Sequence, residues 1–363
     1  MKPNNRLLQW ARPEIVALKP YQSAREEFVD DGRKMILLDA NENPFDNGVN
    51  RYPDPMQKKL KQRLAEAKGV NKEQIYLGNG SDEVLNQLMI AFATPGKDEA
   101  IILPPTFGIY QVCADINGVK TIEVPLTKEF QLDVPAILAA QNKRTKMIFI
   151  PSPNNPTGNC FAVEDIQQLL EKFNGLVVVD EAYVEFAEDQ SILPQLSDYD
   201  NLVVVQTFSK AQGLAGVRLG MCFGDPIIID LMNKVKAPYN INVLTQELVI
   251  KRLDEQGHVH KQVHQIRLEK ERLVQEIISI SFVKYIYPSN ANFFLAKVDN
   301  SSKRYKQLIE RGIVVRNPSK NLNCANTLRI TVGTPQENNA LISALRTMES
   351  EWKKYYLLTE MAP

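Results

Sequence analysis

Short apolar runs alternate with segments whose apolar residues recur at helical spacing along much of this 363-residue chain. The runs at 100–103, 146–150, 176–179, 202–206 and 219–223 read as strands, and the segments 83–93 and 163–173 between them read as helices. Such alternation predicts an α/β fold, a mostly parallel central sheet covered by helices. After about residue 250 the texture changes. A long charged helical pattern through His264 and Glu276 leads into a strand at 293–298, a helix at 305–311 and a strand at 328–332. This second set reads as a smaller α+β domain. Its last helix opens with Thr334-Pro335-Gln336-Glu337, a capping-box pattern with proline at the first helical position. The expected organisation is an N-terminal arm (1–40), a large domain (41–250) and a small C-terminal domain (251–363).

Composition narrows the classes. With 43 basic and 43 acidic residues the net charge is zero, which argues against a polyanionic partner such as nucleic acid. No run approaches the roughly 18 apolar residues that span a bilayer, and Met1-Lys2-Pro3-Asn4-Asn5 lacks the apolar segment of a signal peptide, so a cytoplasmic protein is expected. Cys113, Cys160, Cys222 and Cys324 are far apart, lack C-x-x-C spacing and read as reduced thiols.

Chemistry concentrates where apolar runs stop. Thr207-Phe208-Ser209-Lys210 follows Leu202-Val203-Val204-Val205, and Arg218 comes eight positions after Lys210. A lysine at a strand end among hydroxyls and a guanidinium can form a Schiff base with an aldehyde that carries a phosphate. Taken alone, a serine-lysine pair is also a common surface dipeptide. Two further strand ends bear on it. Ser152-Pro153-Asn154-Asn155-Pro156-Thr157-Gly158 places an amide at the carboxyl end of one strand, the edge where open α/β sheets bind ligands. Asp180-Glu181-Ala182-Tyr183 ends another with a carboxylate that needs a cation, and a pyridinium nitrogen is one; Asn155 and Tyr183 can then bond the ring's phenolic oxygen. Gly78-Asn79-Gly80-Ser81-Asp82-Glu83 fails the dinucleotide fingerprint at its third glycine. It remains a glycine-rich turn at a helix N-terminus, able to hold a phosphate or to be an ordinary helix capped by Ser81 or Asp82.

With these motifs in place the chain resembles the fold-type I pyridoxal-phosphate aminotransferases, and within them the histidinol-phosphate branch. The branch is marked by Pro20-Tyr21-Gln22-Ser23-Ala24-Arg25, Asn41-Glu42-Asn43-Pro44 after a first strand, Asn50-Arg51-Tyr52-Pro53-Asp54, Pro104-Pro105-Thr106-Phe107-Gly108, Lys236-Ala237-Pro238-Tyr239, Val315-Arg316 and Leu328-Arg329-Ile330-Thr331. These run in family order from about residue 12 to about residue 350. The resemblance implies pyridoxal 5'-phosphate as cofactor, joined to Lys210 and facing Asp180 and Tyr183. It implies that Phe107 stacks on the ring, and that the Ser81 and Asp82 amides, Thr207, Ser209 and Arg218 hold the phosphate, with Tyr52 supplied by a neighbouring subunit of a homodimer. Tyr21, Asn41, Arg316 and Arg329 become substrate residues. The implied reaction moves an amino group between L-histidinol phosphate and 2-oxoglutarate, giving L-glutamate. Transamination of aromatic amino acids and decarboxylation of a phospho-amino acid are the alternatives with the same cofactor motifs.

The three histidines do not enter this chemistry. His260 and His264 lie four apart, but their neighbours Lys261, Gln262, Gln265 and Arg267 are those of a solvated helix face, and no metal is expected. The expected general base is Lys210.

Overall fold

The computed structural model describes residues 5–21, 33 and 35–360, without the side chains of 5 and 352–360. The first four residues and Gln22 to Arg25 of the arm motif lie outside them. Seven strands build the larger sheet: β1 (Ile75–Gly78), β2 (Glu99–Ile102), β3 (Lys120–Glu123), β4 (Thr145–Pro151), β5 (Leu176–Asp180), β6 (Leu202–Thr207) and β7 (Gly220–Phe223). Their spatial order is β1-β7-β6-β5-β4-β2-β3; strands β2 to β6 pair in parallel, while β7 runs antiparallel to both its neighbours.

The uniform apolarity of the central strands follows from coverage on both faces. Ile148, Ile150, Val177, Val179 and Val204 turn to one helical layer. Met147, Phe149, Val178, Val203 and Val205 turn to the other. Register then decides what meets at the carboxyl edge. Pro151 pairs with Asp180, and Asp180 with Val205, so the ends of three strands stand side by side.

Beyond it, β8 (Val283–Ile286), β9 (Phe293–Val298) and β10 (Thr327–Thr331) form a second, antiparallel sheet in the order β10-β9-β8. The helices Gln256–Ile278, Ser301–Glu310 and Pro335–Glu360 pack on it through Leu273, Ile277, Leu308, Leu341 and Leu345. The strand-helix-strand set is therefore present, with its two strands antiparallel neighbours. The final helix opens on the expected box: the Thr334 amide donates to Glu337 Oε2 at 2.8 Å and the Glu337 amide to Thr334 Oγ1 at 3.3 Å.

Two expectations change. No ladder forms at 35–38 among the described residues, where Ile36 and Leu38 are exposed, so Asn41 does not follow a strand. The helix Ser81–Phe92 is capped by Gly80, not by Ser81 or Asp82. β3 and β8 carry no apolar run, because each is an edge strand open to solvent along part of its length. Cys113, Cys222 and Cys324 are buried free thiols and Cys160 is half-buried. No helix among the described residues is long and apolar enough to cross a membrane.

Candidate active site

A cleft of about 740 Å³ opens at the carboxyl edge of the large sheet, and the small sheet closes its far side. Asp180, the last residue of β5, is its buried floor. One carboxylate oxygen accepts from the Tyr110 hydroxyl at 2.8 Å and the other from the Ala182 amide at 3.1 Å. Burial raises its pKa to about 6, against the pull of those two hydrogen bonds. No cation pairs with it among the described residues. The adjacent Glu181 points the other way, into Gln206, Ser191 and the Ile192 amide, and burial raises it to about 7. One carboxylate of the pair thus serves the cleft and the other the core.

Lys210 stands beyond the end of β6 on a turn set by Thr207, whose hydroxyl donates to the Leu219 carbonyl at 3.2 Å and accepts from the Ser209 amide at 3.1 Å. Its Nζ lies 5.4 Å from the centre of the Tyr183 ring. The side chain reaches solvent through the cleft, yet partial desolvation and then nearby Arg329 hold its pKa below the usual lysine value. A larger neutral fraction at a given pH follows, which makes the amine more available as a nucleophile or base. The Tyr183 phenol is pushed up to about 12 by burial and stays protonated.

Opposite Lys210 lies an anion cradle. The helix Ser81–Phe92 has no side-chain cap, which leaves its first amides free, and Arg218 lies against the same turn, 3.4 Å from Asp82 Oδ2. Two glycines make the approach possible. A Cβ on Gly80, whose φ is +84°, would come within 2.5 Å of Arg218 Nη2, and one on Gly220 would overlap the Ser81 amide nitrogen. Arg218 itself is held in the left-handed region, at φ 59°.

The far wall comes from the second sheet. Arg329 on β10 donates through Nη1 to Asn155 Oδ1 and lies over the Phe293 ring at 5.3 Å, while its Nε is buried without a partner. Burial pulls its pKa down; Tyr183 opposes that and Arg316 adds to it. Arg316 pairs with Arg329 as an antiparallel bridge, the two amides donating at 3.1 and 2.8 Å, so both arginines line the cleft. Asn155 is buried at the turn whose neighbour Asn154 donates to the Pro105 carbonyl at 2.9 Å and to Thr157 Oγ1 at 2.7 Å.

The cleft thus gathers Ser81, Asp82, Phe107, Asn155, Asp180, Tyr183, Thr207, Ser209, Lys210, Arg218, Arg316 and Arg329. Three expected residues stand apart. Asn41 and Tyr52 line a separate cavity of about 480 Å³, where Tyr52 stacks on Tyr239 at 4.3 Å, and Tyr21 is 72% exposed. Sequence reasoning passed over Tyr110, which orients Asp180 while stacking on Phe149 at 4.9 Å; a tyrosine on an apolar helix face reads as core. Lys320 and Asn317 were also missed, because they sit in a loop with no periodicity.

Comparison with known proteins shows the family and the fold. The family described as aminotransferase class I and II matches residues 32–345. The chain is 51% identical over 340 residues to histidinol-phosphate aminotransferase of Christiangramia forsetii, spanning 94% of this chain and 97% of that protein. Among solved structures, histidinol-phosphate aminotransferase from Clostridium acetobutylicum superposes with a TM-score of 0.77 at 22% identity, over 84% of this chain and 92% of that one. The Sinorhizobium meliloti enzyme in complex with pyridoxal-5'-phosphate gives 0.74 at 23% identity, over 83% and 84%. The two structures establish the fold; the profile and the relative sharing half its residues establish descent, and the chain belongs to the class I and II aminotransferase family.

Proposed function

We propose that the chain is a pyridoxal-phosphate enzyme that moves an amino group from L-histidinol phosphate to 2-oxoglutarate, giving imidazole acetol phosphate and L-glutamate, a step of histidine biosynthesis. The observation that carries this reading is the convergence of Lys210, the buried and cation-free Asp180, and the Arg316–Arg329 bridge in one cleft. The relative from Christiangramia forsetii, named for this activity, supports it.

The residues fit the cofactor. The cradle of Gly80, Gly220, Arg218 and the free helix amides suits its phosphate, with Thr207 and Ser209 beside it. Asp180 is a buried anion in need of a pyridinium, and Asn155 and Tyr183 suit the ring's phenolic oxygen, since Asn155 keeps its amide donors while its oxygen is taken by Arg329. Phe107, on the cleft wall, would cover one face of the ring. When bound, the cofactor supplies an electron sink for the charge left when the substrate's amine-bearing carbon loses its proton.

Everything else is the work of side chains. Lys210 would hold the cofactor through Nζ and would also serve as the base for the proton on the substrate's amine-bearing carbon, so one amine is both tether and base. Asp180 would keep the ring nitrogen protonated. Arg329 and Arg316 bind the substrate's anionic group, and Asn41, which lines the separate Tyr52 cavity, and the exposed Tyr21 would join them from a neighbouring subunit. Histidinol phosphate has a phosphate and no α-carboxylate, whereas glutamate has two carboxylates, and bidentate guanidinium geometry suits both anions. The direct test is a screen of amine donors against 2-oxoglutarate: histidinol phosphate is expected to give the highest kcat/KM, and a preference for aromatic amino acids or a product lacking the carboxyl group would reject the assignment.

The shared site is part of the same proposal. Tyr52 faces a cavity apart from its own cleft, beside exposed Val49 and Leu244, a partly apolar surface suited to a second copy whose cofactor phosphate Tyr52 would reach. Mixing inactive Lys210→Ala protein with inactive Tyr52→Phe protein should then restore part of the activity through mixed dimers. A fully active monomer would sink the idea.

A further inference from the structure

Immediately after Arg316 the chain makes a pinned turn. The Ser319 amide donates to Asn317 Oδ1 at 3.1 Å, the Ser319 and Ser301 hydroxyls lie 2.7 Å apart, the Thr327 amide donates to Ser319 Oγ at 3.2 Å, and the Asn321 amide to the Pro318 carbonyl at 2.8 Å. Lys320 sits on this turn and lines the cleft with Arg316 and Arg329. No carboxylate pairs with it among the described residues. The acids lining the cleft are Asp82, which faces Arg218, and Asp180, which lies on the floor. A lysine on an ordered turn, without an acid partner, at the substrate end of the cleft has no structural task that the fold reveals.

The proposed substrates differ where such a charge can act. In an amino acid the α-carboxyl carbon is bonded directly to the amine-bearing carbon, and glutamate's second carboxylate ends its side chain. In histidinol phosphate a methylene and an ester oxygen intervene, so the anion lies farther out. It also has three terminal oxygens and a charge that approaches −2 near neutral pH. Arg316 and Arg329 can saturate the two oxygens of a carboxylate, whereas a phosphate offers a third terminal oxygen, farther out, to a further cation. We infer that Lys320 is a specificity-determining residue that supplies this outer charge and so favours a phosphorylated amine over a carboxylated one. The inference rests on the function proposed above.

The test compares kcat/KM for histidinol phosphate and for glutamate in the cofactor-loaded enzyme, in wild type, Lys320→Met, Lys320→Arg and, as a contrast, Arg329→Gln. Lys320→Met should lower the ratio of the two values about tenfold through KM for histidinol phosphate, with kcat held, as expected for loss of one charge-assisted contact. Arginine should restore most of the ratio. Arg329→Gln should weaken both donors together. The salt dependence of KM for histidinol phosphate should flatten in Lys320→Met, because a solvent-facing charge is screened. Equal losses for both donors would reduce Lys320 to general attraction, and unchanged values for both would remove it from the site. A wild type inactive on histidinol phosphate sinks the function itself; normal wild-type activity with an unchanged ratio sinks only the role of Lys320.

Discussion

Lys210→Ala should lose transamination by more than about a thousandfold, because one substitution removes both the covalent tether and the proton carrier. Folding should be nearly untouched, since the side chain is exposed and makes no hydrogen bond among the described residues. Borohydride reduction of the loaded wild type, followed by peptide mapping, should place the cofactor on Lys210 and on no other lysine. The nearby lysines in sequence are tethered elsewhere: Lys234 Nζ donates to the Val16 carbonyl and Lys236 Nζ to the Pro55 carbonyl, each at 2.8 Å. A label on either of them would overturn the assignment, and a protein that takes no label would overturn the chemistry.

Asp180→Asn should fold and bind the cofactor, yet turn over slower by orders of magnitude, because a neutral amide cannot hold the ring nitrogen protonated. Near-normal turnover would reject the role. The same variant has a second readout that needs no cofactor. Burial lifts the Asp180 pKa from 3.8 to about 6, so the folded state binds its proton more tightly than the unfolded chain. Stability of the cofactor-free protein should therefore fall as pH rises from about 4 to about 6, and stay lower above that window, by on the order of 3 kcal/mol at about 1.4 kcal/mol per pH unit. Asparagine does not titrate. The difference between wild type and variant, measured by denaturant unfolding, should change across that window and be flat above it, whereas a difference independent of pH would show that Asp180 is not buried as a lone charge.

What could be read in the sequence was whatever leaves a local chemical mark. Uniformly apolar strands closed by Asn155, Asp180 and Lys210 announced themselves because burial on both faces removes polar residues until the chain reaches the ligand edge. The capping box at Thr334 was legible for the same reason: both of its partners lie within one turn. Tyr110 was not, since its hydroxyl meets Asp180 across 70 positions of sequence while its ring looks like ordinary core. Nor was the capping of the helix at Gly80, where the missing side chain matters through the distant Arg218. Edge strands β3 and β8, half-solvated, lack the pattern that betrays a strand.

The bridge between Arg316 and Arg329 divides the substrate end of the cleft into a part fixed by parity and a part free to vary. Successive residues of a strand face opposite ways, so shifting either arginine by one position would turn its guanidinium out of the cleft. The connection between them is under no such rule, and it can lengthen, shorten or change composition while the paired arginines stay in place. On the function proposed above, a lineage of such enzymes could keep one unaltered grip on the anion and explore new amines by editing only the turn that carries Lys320.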